Sequence, residues 1–511
     1  MVTRTRSHAP VALLLLGVVL CSCGGRPELP PDSARLVYEH PMVTLDPHGH
    51  NDAVTGSVLA AVYEALVSGV PGGPFRPAIA DRWTCPDDRT WQFRIREGVR
   101  FHDGRPLQIA DVVGSLRRAC FEPESALATY VEMVENVRTA EDDPSTVVVT
   151  TSRPFPLLLT RLAMIAVVPE DNDPSRPIGT GPYRWESGGT HGPVALRRWE
   201  GYWGPSPPLK QVDIRFLSDE AELERLVRLE ALDVMASVST SFLHDVPLGA
   251  GWRVVQTPSA ASTLIGLNVT MPPLDDPRVR EAIDLAIDRS ELVADVFSKG
   301  WAEPAVSLVP PEAFGFNPAR SLQPADPERA RTLVEEAGAT GAPVRIDCST
   351  SAFRPLVDRI ARELMSTGLE VTVVDHPYDE FYRRFETGEN QVFLFSWNFR
   401  FSDSSSFLEA LVHSRSPGRA LGMLNGTGYA DLQVDRWIEL ASAEPMSPTR
   451  LELIRLAIDR VMGDRPYLPL FYPARLALVR EPFRIEPRSG SWVRPQEIAA
   501  ADPGERRPRP L

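Results

Sequence analysis

One segment of the chain restricts the possible folds more than any other, because it alternates strand, helix and strand. Val344 to Cys348 and Val371 to Val374 have the pattern of short strands, and Val357 to Met365 between them carries apolar residues at helical spacing. Two strands that are joined through a helix lie parallel in one sheet. The chain is therefore expected to be an α/β protein.

Three other helices are predicted from local signals. Asp276-Pro277 and Asp326-Pro327 each begin one, because an aspartate can cap a helix and proline is tolerated at the first helical position. A third is predicted over Asp52 to Val67, where apolar residues recur at helical spacing. These helices extend the α/β pattern on both sides of the chain's centre.

Composition limits the class of protein and its partners. The chain has 511 residues, of which 43% are hydrophobic and 24% charged, as expected for a soluble globular protein of several lobes. Its net charge of -14 argues against a nucleic-acid partner, because proteins that bind nucleic acids usually carry a basic surface.

The N-terminus has the pattern of an export signal. Arg4 and Arg6 precede an apolar run from Val11 to Leu20, which is too short to span a bilayer. Leu20 lies three residues before Cys23 and a serine directly precedes it, so this segment resembles a bacterial lipobox. The prediction is a lipid on Cys23 that anchors the protein to a membrane, on its periplasmic or extracellular face. The alternative is an ordinary signal with incidental cysteines.

Three cysteines remain after the signal and the lipidation candidate: Cys85, Cys120 and Cys348. An odd number allows at most one disulfide and leaves one free thiol. A Cys85–Cys120 pair is possible, and three buried free thiols are the simpler alternative.

A series of short motifs occurs in a fixed order between about residue 35 and residue 480. The main ones are Thr44-Leu45-Asp46-Pro47, Tyr63-Glu64-Ala65-Leu66, Phe101-His102-Asp103-Gly104, Asp111-Val112-Val113, Gly179-Thr180-Gly181-Pro182-Tyr183, Tyr202-Trp203, Arg278-Val279-Arg280, Ala286-Ile287-Asp288-Arg289 and the segment from Trp397 to Phe407-Leu408.

In order and spacing these motifs resemble those of the peptide/nickel-type (family 5) extracellular solute-binding proteins of ABC importers, which include oligopeptide- and dipeptide-binding lipoproteins. The resemblance implies a type II periplasmic-binding-protein fold, in which two bodies of three lobes close on a peptide or related small solute. It also implies ABC permease and ATPase partners and a monomer, with no cofactor, metal or enzymatic activity. The ranges expected are a signal peptide at 1–22, a lipidated tether at 23–33, lobe I at 34–50, 175–262 and 475–500, lobe II at 51–174, lobe III at 263–474 and a disordered tail at 501–511.

The resemblance also assigns candidate ligand-binding residues. Trp397 begins the segment that lines the cleft in this family, where an aromatic ring can bury apolar ligand surface. Met42 and Val43 match positions at the cleft edge, where backbone could pair with an extended ligand as an added strand. A core tryptophan and a plain core strand are the alternatives.

Arg400 departs from the family pattern. Peptide-binding members carry an aspartate three residues after the tryptophan, and it pairs with the ligand's amino group. Arginine repels an ammonium group but binds carboxylate or phosphate with two parallel hydrogen bonds, so an anionic or neutral ligand group is expected there. The alternative is that Arg400 points into solvent or pairs with Asp403, which matches the family's next acidic position.

Two rival functions remain open. An exported enzyme is one, although no nucleophile-elbow, zinc-protease or paired cysteine–histidine motif occurs. A receptor or scavenger for haem or nickel that does not transport is the other. The Phe101-His102-Asp103-Gly104 motif contains a histidine and an acid, but Asp103 and Gly104 suit a tight turn, so a structural role is expected.

Overall fold

The computed structural model describes residues 32–69, 75–297, 301–349, 354–399, 402–416, 421–444, 447–486 and 492–500. Within these ranges no helix is long and apolar enough to cross a membrane. The predictions for Cys23, for the signal peptide at 1–22 and for the tail at 501–511 concern residues outside the described ranges.

The part of the first body that precedes the second contains twelve strands and five α-helices among the described residues. The strands are β1 Ser33–Tyr38, β2 Val67–Gly69, β3 Phe75–Pro77, β4 Ala80–Thr84, β5 Thr90–Ile95, β6 Val134–Thr139, β7 Thr146–Thr151, β8 Tyr183–Ser187, β9 Val194–Arg198, β10 Gln211–Phe216, β11 Val234–Met235 and β12 Trp252–Pro258. The helices are α1 Ala53–Leu59, α2 Ile109–Phe121, α3 Leu158–Leu162, α4 Glu220–Arg228 and α5 Thr240–Asp245.

The second body follows, and the chain then returns to the first. The strands of the second body are β13 Ala261–Leu267, β14 Ala302–Pro304, β15 Pro343–Cys348, β16 Glu370–Asp375 and β17 Val392–Asn398. Its helices are α6 Pro277–Ala286, α7 Arg289–Val296, α8 Pro327–Glu336, α9 Arg354–Met365, α10 Tyr378–Thr387, α11 Ser405–Phe407, α12 Leu432–Ala443 and α13 Pro448–Asp464, with a π-helical turn at Leu408–Val412. The returning strands are β18 Tyr467–Arg480, β19 Phe483–Ile485 and β20 Ile498–Ala500.

One large sheet runs through both bodies, in the strand order β16-β15-β17-β13-β18-β11-β1-β10-β9-β8, and β12 and β14 also pair with β18. The β15 and β16 strands are parallel, and α9 connects them. The predicted strand–helix–strand unit and the α/β fold class are therefore confirmed. A separate four-stranded sheet, β4-β5-β7-β6, lies within the range predicted for lobe II.

Hydrophobic cores form on either side of the junction between the bodies. Residues between 260 and 471 form two cores of the second body, and residues before 256 and after 473 form the cores of the first. Trp301 and Phe297 are exceptions, because they pack against the first body from the segment between α7 and β14. The lobe boundaries given above stay a prediction.

Of the helices predicted from sequence, two begin as expected and one is shorter. Asp276 and Asp326 cap α6 and α8 through their side chains. By contrast, α1 ends at Leu59 and not near Val67. Beyond it, the Ala61 and Val62 carbonyls accept hydrogen bonds from the Gly179–Tyr183 segment, at 2.9 Å each. These tertiary bonds replace the ones that would have continued the helix.

The three described cysteines are free. Cys120 and Cys348 are buried, and burial raises the pKa of the Cys120 thiol to about 12. Cys85 is exposed in the turn between β4 and β5, where its thiol donates to the Asp87 carbonyl at 2.7 Å. The expectation of three buried thiols is therefore wrong for Cys85, because a tight turn places it at the surface.

Three of the sequence motifs converge on one carboxylate, Glu64. It accepts hydrogen bonds from the Thr180 hydroxyl at 2.9 Å, the Tyr202 hydroxyl at 2.8 Å and the Trp203 indole nitrogen at 2.7 Å. Burial raises the pKa of Glu64, while these donors oppose the shift. The Arg96 guanidinium lies over the Trp203 ring at 4.4 Å and encloses the cluster. The network ties the segment after α1 to two distant segments of the first body.

We expect Glu64→Ala to lower the free energy of unfolding by about 3 kcal/mol, because three donors lose their acceptor together. Urea denaturation measures the change. Glu200→Ala is the matched control: Glu200 pairs with Arg198 but is 76% exposed, so its removal should cost less than about 1 kcal/mol. Equal effects of the two substitutions would contradict the central place given to Glu64.

Candidate functional site

The two bodies meet where the chain passes from β12 to β13 and, later, along β18, and parallel strands on both sides end at this junction. In the first body, β1 is parallel to β11, and β11 is antiparallel to β18. The carboxyl end of β1 at Tyr38 therefore points toward the part of β18 that contains Arg475. In the second body, Asn398 at the end of β17 pairs with Ala261 at the start of β13. Ligands of open α/β sheets bind outside the carboxyl ends of the strands. The space between these two edges is therefore the candidate binding cleft.

Trp397 lies at the cleft end of β17 and is half-buried. Its ring packs edge-on against Phe407, with centroids 6.1 Å apart, as part of a core of the second body. Its indole nitrogen is buried and has no acceptor among the described residues, and the same holds for the hydroxyl of Ser262, its cross-strand partner. Trp397 thus combines a core position with an unsatisfied donor, and its role in ligand binding stays a prediction.

Asp403 is engaged by a residue that the sequence did not suggest. Its two carboxylate oxygens accept hydrogen bonds from the guanidinium of fully buried Arg450, at 2.8 and 3.0 Å. The backbone nitrogen of Ser405 donates to the same carboxylate at 2.8 Å, and Arg450 also binds the Ser405 hydroxyl. Arg450 is therefore a partner of Asp403 within the second body, and a role of Asp403 in ligand binding stays a prediction. This arrangement fixes the segment that follows Trp397.

Met42 and Val43 differ in exposure. The Met42 side chain is 1% exposed and packs in the first body, whereas Val43 is 62% exposed. Both backbone N–H groups have partners, since Met42 donates to the Thr190 carbonyl and Val43 to the Thr55 hydroxyl, at 3.0 Å each. A ligand strand added here would bind through the carbonyl oxygens of these residues. Contact with a ligand at either residue stays a prediction.

Arg400 lies outside the described residues, so its predicted role has no structural counterpart. In the described part of the chain, no group of three or more histidine, cysteine, aspartate or glutamate side chains is arranged to hold a metal ion. His102, from the turn motif, hydrogen-bonds the Gly181 carbonyl at 3.0 Å and accepts from the Gly179 nitrogen at 3.3 Å. These contacts agree with the structural role expected for that turn.

Opposite charges on the two bodies are close enough to affect each other's pKa. On the first body, half-buried Arg161 lies over the Tyr130 ring at 5.8 Å. Burial lowers the pKa of Arg161 to about 10, and the charges of Glu409 and Asp403 on the second body oppose this shift. Burial raises the pKa of Glu409, while a hydrogen bond from Ser442 and the positive charges of Arg153 and Arg161 oppose it.

Neither Arg161 nor Glu409 was predicted as a site residue from the sequence. Arg161 is 248 positions from Glu409, taking the difference of their residue numbers, and no local pattern marks either as a site residue. The π-helical turn that carries Glu409 has no recognisable signal in the sequence. Such turns are often found at functional sites.

We expect Asp403→Ala to lower the free energy of unfolding by about 3–5 kcal/mol, because it leaves Arg450 buried without its counter-charge. Adding Arg450→Met should restore most of the loss, since an apolar side chain can replace a buried ion pair. Urea midpoints measure both variants. Asp459→Ala, which removes the exposed partner of Arg320, is the control and should cost less than about 1 kcal/mol. An Asp403→Ala variant as stable as this control would contradict the assignment.

Comparison with known proteins agrees with this architecture. The E. coli K12 glutathione-binding protein GsiB is 27% identical over 450 residues, which cover 84% of this chain and 86% of that protein. Among solved structures, DppA from Helicobacter pylori in complex with the peptide STSA superposes with a TM-score of 0.71 at 20% identity, covering 92% of this chain and 98% of its own. CtaP from Listeria monocytogenes gives a TM-score of 0.81 at 19% identity, covering 92% and 99%.

The family model of the bacterial extracellular solute-binding proteins, family 5 Middle, matches residues 74–418. This range includes the four-stranded sheet, most of the second body and the segment with Trp397, Asp403 and Glu409. The predicted resemblance and the two-lobed type II fold are confirmed. The chain belongs to the bacterial extracellular solute-binding proteins of family 5.

Proposed function

We propose that this protein captures a small peptide of about the size of glutathione in the cleft between its bodies and delivers it to the permease of an ABC importer. The relationship to GsiB, which is named for glutathione, supports the ligand class. The fold shared with a peptide-bound DppA supports the place of binding.

The observation that carries the proposal is the junction itself. Separate cores lie on its two sides, and β18 and the link between β12 and β13 connect them. A hinge of this kind lets two bodies rotate without repacking their interiors. Such rotation gives an open and a closed form. A solute that contacts both walls stabilises the closed form to the extent that it binds this form more tightly than the open one. The closed form is what a permease would recognise.

The cleft residues also support binding over catalysis. An enzyme would need a nucleophile and a base in hydrogen-bond reach of each other in the cleft. The described cleft groups are instead a tryptophan, arginines, and carboxylates that Arg450 or Ser442 already bind. Among these residues, no specific observation favours a haem or nickel receptor.

A lipid on Cys23 completes the proposal. The Pro-rich segment from Gly24 to Ser33 is long enough to separate an anchored cysteine from the first strand. Anchoring would keep the protein next to its permease, on the periplasmic or extracellular face of the membrane. Arg400 would supply a positive charge near Trp397 for an anionic or neutral group of the solute.

We expect reduced glutathione to raise the unfolding temperature by several degrees. At 100 times the dissociation constant, a ligand stabilises the folded state by about 2.7 kcal/mol. Differential scanning fluorimetry measures the shift, with trialanine and a nickel–histidine complex as comparison ligands. Mass spectrometry after long incubation should recover glutathione unchanged. A shift with nickel–histidine alone would favour the receptor alternative, and a modified glutathione would favour an enzyme.

We expect Cys23→Ser to abolish labelling by a radioactive fatty acid and to release the protein from membranes, because the buried acyl chains provide the attachment. Cys21→Ser is the matched control and should keep the label, since Leu20 occupies the position before Cys21 where a small residue is needed. Wild-type protein without label would refute lipidation. Loss of label in Cys21→Ser alone would assign it to the other cysteine.

A further inference from the structure

Arg475 occupies a distinctive position on β18, the strand that passes between the bodies. The residues just before it pair with β14 of the second body, and Arg475 itself pairs with Thr257 on β12 of the first. Because side chains alternate along a strand, Arg475 lies on the same face as Ala477 and Val479, which pack with Tyr38 in the first body. The side chain therefore lies at the base of the cleft, beside the end of β1.

The guanidinium of Arg475 has no hydrogen bond or ion pair with any described residue. It lies over the Trp492 ring, 5.1 Å from the centroid, and its Nη1 atom is buried without an acceptor. Arg480 on the same strand differs, because its guanidinium binds Asp233 and Glu230. Burial lowers the pKa of Arg475, and the charge of exposed Glu39 opposes the shift.

A half-buried cation without a partner is costly, since buried polar groups in folded proteins are nearly always hydrogen-bonded. The flat face of the guanidinium stacks on the indole ring of Trp492. The N–H donors at the edge of the guanidinium remain available for an acceptor. The group that fits such an edge is a carboxylate, which accepts two parallel hydrogen bonds from an arginine. A peptide has at least one carboxylate, and glutathione has two.

We propose that Arg475 binds a carboxylate group of the captured solute at the base of the cleft, with Trp492 holding the guanidinium in position. The inference rests on the proposed function and adds the charge of the group that is recognised. Because Arg475 is on the linking strand, the bound carboxylate would stay in place while the bodies rotate. The solute class is then a peptide with a free carboxylate, and esters of the same peptide bind more weakly.

Titration calorimetry with reduced glutathione and with its diethyl ester tests the proposal. Wild-type protein should bind glutathione at least about 10-fold more tightly than the diester, the ratio expected for one charge-assisted hydrogen bond. Arg475→Gln should lose about 10- to 100-fold in affinity for glutathione and prefer it to the diester by a clearly smaller ratio than wild type. Arg475→Lys should fall between, because it keeps the charge but loses the two-pronged geometry. Arg215→Gln, at an exposed position of β10 with the same charge change, should behave as wild type.

Ligand-free stability separates this role from a structural one. Arg475→Gln should unfold at or above the wild-type temperature, because the guanidinium that it removes has no hydrogen bond or ion pair with any described residue. Lower stability of both Arg475→Gln and Glu39→Gln, with unchanged affinity for glutathione, would make the pair structural and overturn the proposal. An Arg475→Gln variant that keeps the wild-type preference for glutathione over the diester would overturn it too, and would leave the proposed function intact. A wild-type protein that binds neither compound would overturn both.

Discussion

The hydrogen bonds that β18 makes along its length are the constraint on which the rest of the structure depends. One half of this strand pairs with β13 and β14, and the other half with β11 and β12, so the two bodies share a continuous sheet. A shared sheet fixes which edges face each other and limits their relative motion to a few linking residues. The cleft therefore has a defined floor, and the residues of that floor keep their places when the walls move.

The charged groups of the protein differ in the number of hydrogen-bond partners that they have. In the first body Glu64 accepts three hydrogen bonds, and in the second body Asp403 and Arg450 bind each other through two. At the cleft, Glu409 accepts a side-chain hydrogen bond from Ser442 alone among the described residues, and Arg475 makes none. Groups with several partners are held in place, whereas Arg475 has a buried donor without an acceptor among the described residues, and a solute could bind it. This contrast is what a binding site requires, because a site whose groups already satisfy each other gains little from a ligand.

Local sequence patterns predicted those features that local chemistry determines. Asp276 and Asp326 cap their helices because a capping side chain acts on backbone only two or three residues away. The strand–helix–strand unit followed from periodicity for the same reason. The early end of α1 could not be predicted, because the bonds that replace the helix come from Gly181 and Tyr183, more than 100 residues further along the chain. The family motifs were recognised separately, yet their convergence on Glu64 appears only in three dimensions.

The charged residues of the cleft also could not be predicted from local sequence patterns. Arg475 stands in an apolar strand, where alternation alone would place an arginine in solvent. Its half-burial results from Trp492, which a later segment brings against it. Arg161 and Glu409 likewise interact electrostatically only because the fold brings the two bodies together. With a cation at the floor, a cation on one wall and a carboxylate on the other, the cleft presents both signs of charge. A short peptide with a free amino group and free carboxylates also carries both signs, and this similarity is the reason why a charged solute suits the proposed function better than an uncharged one.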